Sequence, residues 1–271
     1  MKKSWLLKML FVSLMALLVL SACGDKEEEA DAEGSASGAL EEIKEKDKIV
    51  IGVKHDTRLF GLKNPSTGEV EGFDIDIAKE IAKSILGDET KVEFKEVTSK
   101  TRIPMLNNGQ IDAIIATMTI SEERKKEVDF SDVYFLAGQS LLVKKGSDIK
   151  SIDDLNADTT VIAVKGSTSA INIREKAPEA PVLEFENYAE AFSALKAGKG
   201  HTLTTDDSIL YGMAAEDDNY ELVGDTFTDE PYGIAVKKGN TDLVDEINKV
   251  LKELKDSGRY DEIHDTWIKK Q

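Results

Sequence analysis

Ile111-Asp112-Ala113-Ile114-Ile115-Ala116-Thr117-Met118-Thr119-Ile120-Ser121-Glu122-Glu123-Arg124 is the stretch from which the fold can be read. Its first six residues are a short, nearly continuous apolar run, as expected of a strand buried on both faces. Ser121 before two glutamates reads as the start of a helix. Outward from this stretch the same alternation recurs. Lys48 to Val53 reads as a buried strand. Asp74 can cap a helix whose apolar residues Ile77, Ala78, Ile81, Ala82 and Ile85 recur at three and four, ending at Gly87. Lys91 to Val97 is a further strand, and a short helix through Ile103-Pro104-Met105-Leu106 stops at Asn108-Gly109. This β-α-β-α order predicts a mostly parallel sheet flanked by helices.

A second round follows. Strands are expected at Leu141-Leu142-Val143, Thr160 to Val164 and Thr202 to Thr205, with helical spacing from Ala189 to Ala197 and from Ser208 to Ala215. Ser151 to Leu155 reads as a capped helical turn, and Thr160 to Val164 opens onto Gly166-Ser167-Thr168. Gly233 to Val236 returns as a strand, and Thr241 caps a long amphipathic helix carrying Leu243, Ile247, Val250, Leu251 and Leu254 up to Gly258. The expected architecture is α/β with two lobes facing a cleft. Residues 48–142 and 233–271 form the first lobe and 143–232 the second, with crossings near Leu142 to Lys144 and Asp229 to Gly233.

The beginning of the chain reads as an address. Lys2, Lys3 and Lys8 precede an apolar stretch from Met9 to Leu20, too short to span a bilayer as a permanent helix and ordered like a signal peptide over residues 1–22. Leu20-Ser21-Ala22-Cys23 resembles a bacterial lipobox, so the sole cysteine is expected to be acylated after cleavage. Residues 23–47 are expected to be a flexible, acidic tether. Across 271 residues, 35 Lys and Arg against 52 Asp and Glu give a net charge of −17, which argues against a nucleic-acid partner. One cysteine and the scattered His55, His201 and His264 offer no metal-ligand spacing, so neither a metal nor another cofactor is expected.

The strand-to-helix junction at Thr117 to Ser121 aims backbone N–H groups beyond the strand's end, an anion site in outline. Arg124 has two readings: a guanidinium that takes a carboxylate through two parallel hydrogen bonds, or a surface arginine paired with Glu122 or Glu123. Gly72-Phe73-Asp74-Ile75-Asp76, Thr119 to Arg124, Val128-Asp129-Phe130-Ser131, Lys165-Gly166-Ser167-Thr168 and Gly258-Arg259-Tyr260-Asp261-Glu262-Ile263 with Trp267 together resemble the extracellular solute-binding proteins, family 3, of amino-acid ABC importers. The resemblance covers nearly everything from Lys48 onward. It implies a type II periplasmic-binding-protein-like fold, a polar amino acid (glutamate, glutamine or aspartate) bound by hinge closure, an ABC permease as partner, and a monomer held by lipid on the outer face of the membrane.

For individual residues the resemblance implies that the ligand's α-carboxylate meets Arg124, Thr119 and Thr168. The α-ammonium meets Asp206 and the carbonyl of Thr117, with Asp207 as the solvent-facing alternative. Phe60 is either an aromatic packed on the ligand or a lobe core residue. Arg102 and Lys54 either read the ligand's side chain or are solvated cations; a selecting Arg102 favours glutamate or aspartate, although it can also donate to an amide oxygen. His201-Thr202 stands where relatives commonly carry Asp-Ala, a departure expected to be structural. The competing class is a secreted dehydratase acting on cyclohexadienyl acids, for which no carboxylate is clearly placed as general acid.

Overall fold

The computed structural model describes residues 38–268, so the signal segment, Cys23 and most of the expected tether lie outside the described residues. Within it, α1 (Ala39–Lys46) leads into β1 (Ile49–Val53), the small hairpin strands β2 (Asp56–Thr57), β3 (Gly61–Lys63) and β4 (Val70–Glu71), and α2 (Phe73–Leu86). Then come β5 (Val92–Glu96), α3 (Arg102–Asn107), β6 (Ala113–Ile114), α4 (Glu122–Lys125) and β7 (Val128–Phe130). A first crossing strand, β8 (Phe135–Ala137), leads to β9 (Gln139–Lys144), β10 (Val161–Val164), α5 (Thr168–Lys176), β11 (Val182–Phe185), α6 (Tyr188–Lys196), β12 (Thr202–Asp206), α7 (Asp207–Ala214) and β13 (Tyr220–Val223). The chain returns through β14 (Glu230–Tyr232) to β15 (Ala235–Lys237), α8 (Thr241–Ser257) and α9 (Arg259–Trp267).

Two five-stranded sheets result, ordered β5-β1-β6-β15-β7 and β11-β10-β12-β9-β13. They share one topology. In each, three strands pair in parallel and a single strand runs against its neighbours: β15 in the first sheet and β9 in the second. Each reversed strand is the one that arrives from the other lobe. The crossing strands β8 and β14 pair antiparallel with each other, Phe135 opposite Tyr232 and Ala137 opposite Glu230. This two-stranded ribbon joins the lobes and carries side chains of both into the space between them.

Two expected boundaries move. All of β9 belongs to the second lobe's sheet, so the first crossing lies at Phe135–Ala137 and not at Leu142 to Lys144. Leu141, Leu142 and Val143 are buried because both faces of the strand are packed, Leu142 into one core cluster of the second lobe and Leu141 and Val143 into another, a burial that local sequence cannot assign to one lobe or the other. Likewise residues 39–46 of the expected tether are helical. Ile43 is buried in the first lobe's core, and the backbone N–H of Leu40 donates to Asp242 at 3.1 Å, so the helix docks against the start of α8. Asp74 does not cap α2 either: it sits inside the helix, fully buried, and Gly72 precedes the first turn.

The first lobe's core gathers β1, the apolar face of α2 and Leu243, Ile247, Val250, Leu251 and Leu254 of α8. The second lobe has its own core around Leu142, Ile162, Phe192, Leu203 and Leu210. Among the described residues no helix is long and apolar enough to cross a membrane. Because Ile43 is docked, Ile43→Ala is expected to destabilise the fold by about 2–5 kcal/mol. A urea denaturation series checks this; an unshifted midpoint would show that α1 is not docked in solution.

Candidate functional site

The wall contributed by the first lobe starts where β6 gives out. Thr117 takes φ 46°, a left-handed conformation that a β-branched residue rarely adopts, and so swings the chain out of the sheet. The strained residue is held by its N–H, which donates to Asp74 Oδ2 at 3.1 Å, while Tyr134 donates to the other oxygen at 2.9 Å. Thr119 follows, and Ser121 caps α4 by accepting from Arg124 N at 3.3 Å. That helix is a single turn, so it supplies little of the dipole expected of it. The longer helix that begins at the cleft is α5, capped by Ser167 accepting from Ala170 N, with Thr168 as its first residue.

Arg124 points inward. Its Nη1 donates to Thr119 O at 2.7 Å, and its Nη2 donates across to Gly166 O of the second lobe at 3.3 Å. Glu122 and Glu123 pair instead with Lys125 and Lys126, which removes the surface reading of Arg124. The second lobe comes this close because residue 166 is glycine: a Cβ there would lie 2.8 Å from Lys100 Cα. Arg102 and Lys54 are also buried, at 2% and 1% exposure, and are not solvated cations. Arg102 Nη1 donates to Ala116 O at 2.7 Å and Thr117 O at 3.4 Å; Lys54 Nζ donates to Ser99 Oγ at 3.0 Å and lies 5.0 Å from the Tyr188 ring centroid.

From the second lobe comes Asp206, at the end of β12 and 4% exposed, with Tyr232 of the crossing strand donating to its Oδ2. Asp207 faces the other way, accepting from Gly138 N and Ser208 N. Phe60 is fully buried among Phe73, Phe135 and Tyr232, which is the core reading given to it above. His201 lies beside the residue just before the start of β10, accepting from Thr160 N at its Nδ1.

Sequence reasoning did not single out Glu230, Gln139, Asn172 or Tyr188. Glu230, 2% exposed on β14, accepts from Thr119 Oγ1 at 2.6 Å, Thr168 Oγ1 at 2.8 Å and Asn172 Nδ2 at 3.2 Å. It thereby ties both lobes to the crossing strand and takes up the two threonine hydroxyls. Gln139 backs this network by donating to Thr168 Oγ1 and accepting from Asn172. Tyr188 is buried between the lobes, and its hydroxyl accepts from Thr205 Oγ1 at 3.1 Å. In the sequence, Glu230 to Gly233 reads only as part of a crossing, so nothing local marks the Glu230 carboxylate.

Burial governs the electrostatics. It pulls Lys54 down to about 7, with Arg102 adding to the effect, and pulls Arg102 down to about 9, with Arg124 adding. It pushes Asp206 up to about 7, helped by Glu230 and opposed by the Tyr232 hydrogen bond. Asp74 also rises to about 7 by burial, against the hydrogen bonds from Tyr134 and Thr117. Four buried polar atoms of this region have no partner: Arg102 Nε, Thr117 Oγ1, Asp206 Oδ1 and Ser208 Oγ. Orphaned donors and acceptors beside charged groups are costly in a folded core and are what a polar ligand would satisfy.

The sequence model of the bacterial extracellular solute-binding proteins, family 3, matches residues 49–270. The chain belongs to that family. It is 70% identical to the ABC transporter glutamine-binding protein GlnH of Bacillus subtilis (strain 168), over 95% of each chain, and 61% identical to the glutamine-binding protein of Geobacillus stearothermophilus, over 87% of this chain and 93% of that one. Among solved structures, an ancestral arginine-binding protein bound to glutamine is 44% identical with a TM-score of 0.77, covering 83% of this chain and 99% of its own. The family is one of solute-binding proteins, and similar relatives are named for binding, not conversion, so the dehydratase alternative is not favoured.

The position of Asp206 can be checked directly. Its carboxyl should titrate near 7 in a pH series of carboxyl NMR shifts, well above 3.8, and Tyr232→Phe, which removes a bond to the ionised form, should move the midpoint higher. Because the folded value is raised, the group favours the folded state below about pH 4, and that contribution is lost as pH rises through about 7. An Asp206 midpoint near 4 would show that the carboxyl is not buried as described.

Proposed function

We propose that this protein is an extracytoplasmic, lipid-anchored receptor that captures glutamine between its lobes and delivers it to an ABC importer permease. The observation that carries the choice of glutamine is a charge balance. The buried charged residues among those described are Lys54, Arg102 and Arg124 against Asp74, Asp206 and Glu230, three of each sign. A zwitterion with a neutral side chain preserves that balance. Glutamate or aspartate brings one more anion and leaves the closed cleft with an excess negative charge, which is expensive to bury. The names of two similar relatives support the same ligand.

In this reading Arg124 takes the α-carboxylate, together with the backbone N–H groups of Thr119 and Thr168, whose hydroxyls are engaged by Glu230. The free Oδ1 of Asp206 and the carbonyl of Thr117 receive the α-ammonium. Arg102 Nε and Lys54 face the side-chain amide oxygen, and Phe60 supports the cleft from the core. The ligand touches both lobes, so it stabilises their closure about the β8–β14 ribbon. The mature protein is a monomer, held on the outer face of the membrane by the acylated Cys23.

One observation favours glutamate or aspartate instead: Arg102 keeps a buried donor, Nε, without a partner. Calorimetry with glutamine, glutamate and aspartate separates the two. Glutamine should bind most tightly, and Arg124→Ala should cost about 3–5 kcal/mol of its binding free energy, because one partner of a buried charge is removed. Tighter binding of glutamate than of glutamine would defeat the charge-balance reading. Separately, Cys23→Ser should move the protein from the membrane fraction to the soluble fraction; unchanged fractionation would remove the lipid anchor.

A further inference from the structure

At the start of α6 the first three backbone N–H groups need acceptors from outside the helix. Glu190 N donates to the side chain of Asn187, the ordinary cap, at 2.8 Å. Tyr188 N and Ala189 N donate instead to Asp56 Oδ2, at 2.7 and 3.3 Å. Asp56 is on β2, in the hairpin of the first lobe, whereas α6 belongs to the second. A helix of one lobe is therefore capped by a carboxylate of the other.

We infer that Asp56 is a closure clasp: an acid of the first lobe that caps a second-lobe helix only when the lobes meet, and so sets ligand residence time without touching ligand. Three features of the surroundings support it. The carboxylate is oriented by Thr57, whose hydroxyl donates to its Oδ1 at 3.2 Å. The helix needs no help from Asp56 to form inside its own lobe, since Asn187 caps it there through both its side chain and its carbonyl, which accepts from Ala191 N. Next to the clasp, Gly212 of α7 lets the second lobe approach the segment that follows β2: a Cβ there would lie 3.0 Å from Arg58 O.

The consequence is selective for conformation. With the lobes apart, Asp56 and the two N–H groups are each solvated, so the contact contributes nothing to the open form. With the lobes together, a negative charge sits at the positive end of a nine-residue helix. Tyr188, the residue whose N–H is held, also lies beside Lys54 and bonds Thr205 next to Asp206, so the clasp fixes one side chain of the cleft itself. Asp56 is a positioning residue, acting on the closing equilibrium and through Tyr188.

This inference rests on binding by lobe closure, and its test reads the clasp apart from the ligand's identity. In the full chain, amide hydrogen exchange at Tyr188 and Ala189 is followed with and without glutamine, together with stopped-flow dissociation of glutamine. Asp56→Ala should speed exchange at these two amides and glutamine dissociation by about 3- to 30-fold, the range set by loss of a helix cap. Asp56→Asn, which keeps an acceptor, should recover most of both. Exchange at the two amides within twofold of the wild type in Asp56→Ala would overturn the clasp. Changed exchange with unchanged dissociation would overturn its link to ligand residence. Absence of any glutamine binding would instead defeat the proposed ligand, while the exchange comparison still decides the clasp.

Discussion

Six acidic or basic side chains are buried among the described residues, and no two of these six form an ion pair with each other. Charged residues are almost never fully buried unless paired, because taking a charge out of water costs several kcal/mol. In this molecule the cost is met piecemeal, by neutral partners: carbonyls for the arginines, a hydroxyl for Lys54, hydroxyls and amides for the carboxylates. The remainder appears as shifted protonation and as orphaned atoms. A core built for stability alone would replace such groups with hydrocarbon. Keeping them apart, cations on the first lobe and Asp206 on the second, creates a field that fits a ligand with separated charges.

The fold sets up that separation through the crossing ribbon. Each sheet receives its one reversed strand from the other lobe, so the ribbon leaves both lobes at the cleft. Tyr232 and Glu230, two residues apart on one crossing strand, reach Asp206 and the pair Thr119 and Thr168 respectively. A change of angle at the ribbon thus alters hydrogen bonds to charged groups in the cleft as directly as a ligand would. Hinge and site are one hydrogen-bonded unit.

Much of this was legible in the sequence, and the division between what was and was not follows interaction range. The junction at Thr117 to Arg124 could be read locally, because a buried strand, a capping serine and an arginine are set by near neighbours. Asp206 was separable from Asp207 only through the resemblance, and the structure gives the reason: one faces Tyr232 and the other Gly138, which are distant in sequence. Local reading failed for Asp74, which looks like a cap but accepts from Thr117, 43 residues away. It failed for Ile43 too, whose burial depends on α8 near the far end of the chain. Glu230 and Asp56 were invisible for the same reason: each is defined by partners distant in sequence.

The cross-lobe contacts divide into two kinds with different consequences. Arg124 to Gly166 and the Glu230 network lie among the residues that a ligand would contact, so their strength depends on what is bound. The contact of Asp56 with α6 uses backbone N–H groups, present whatever the ligand, so it adds the same increment to closure for every ligand that fits. Selectivity then has to come from the first kind, and retention is shared by both. A receptor that must distinguish similar amino acids yet release them needs that division. A single strong cleft contact would raise affinity for all zwitterions, whereas a modest clasp outside the cleft lets closure be tuned without disturbing the charge balance that discriminates.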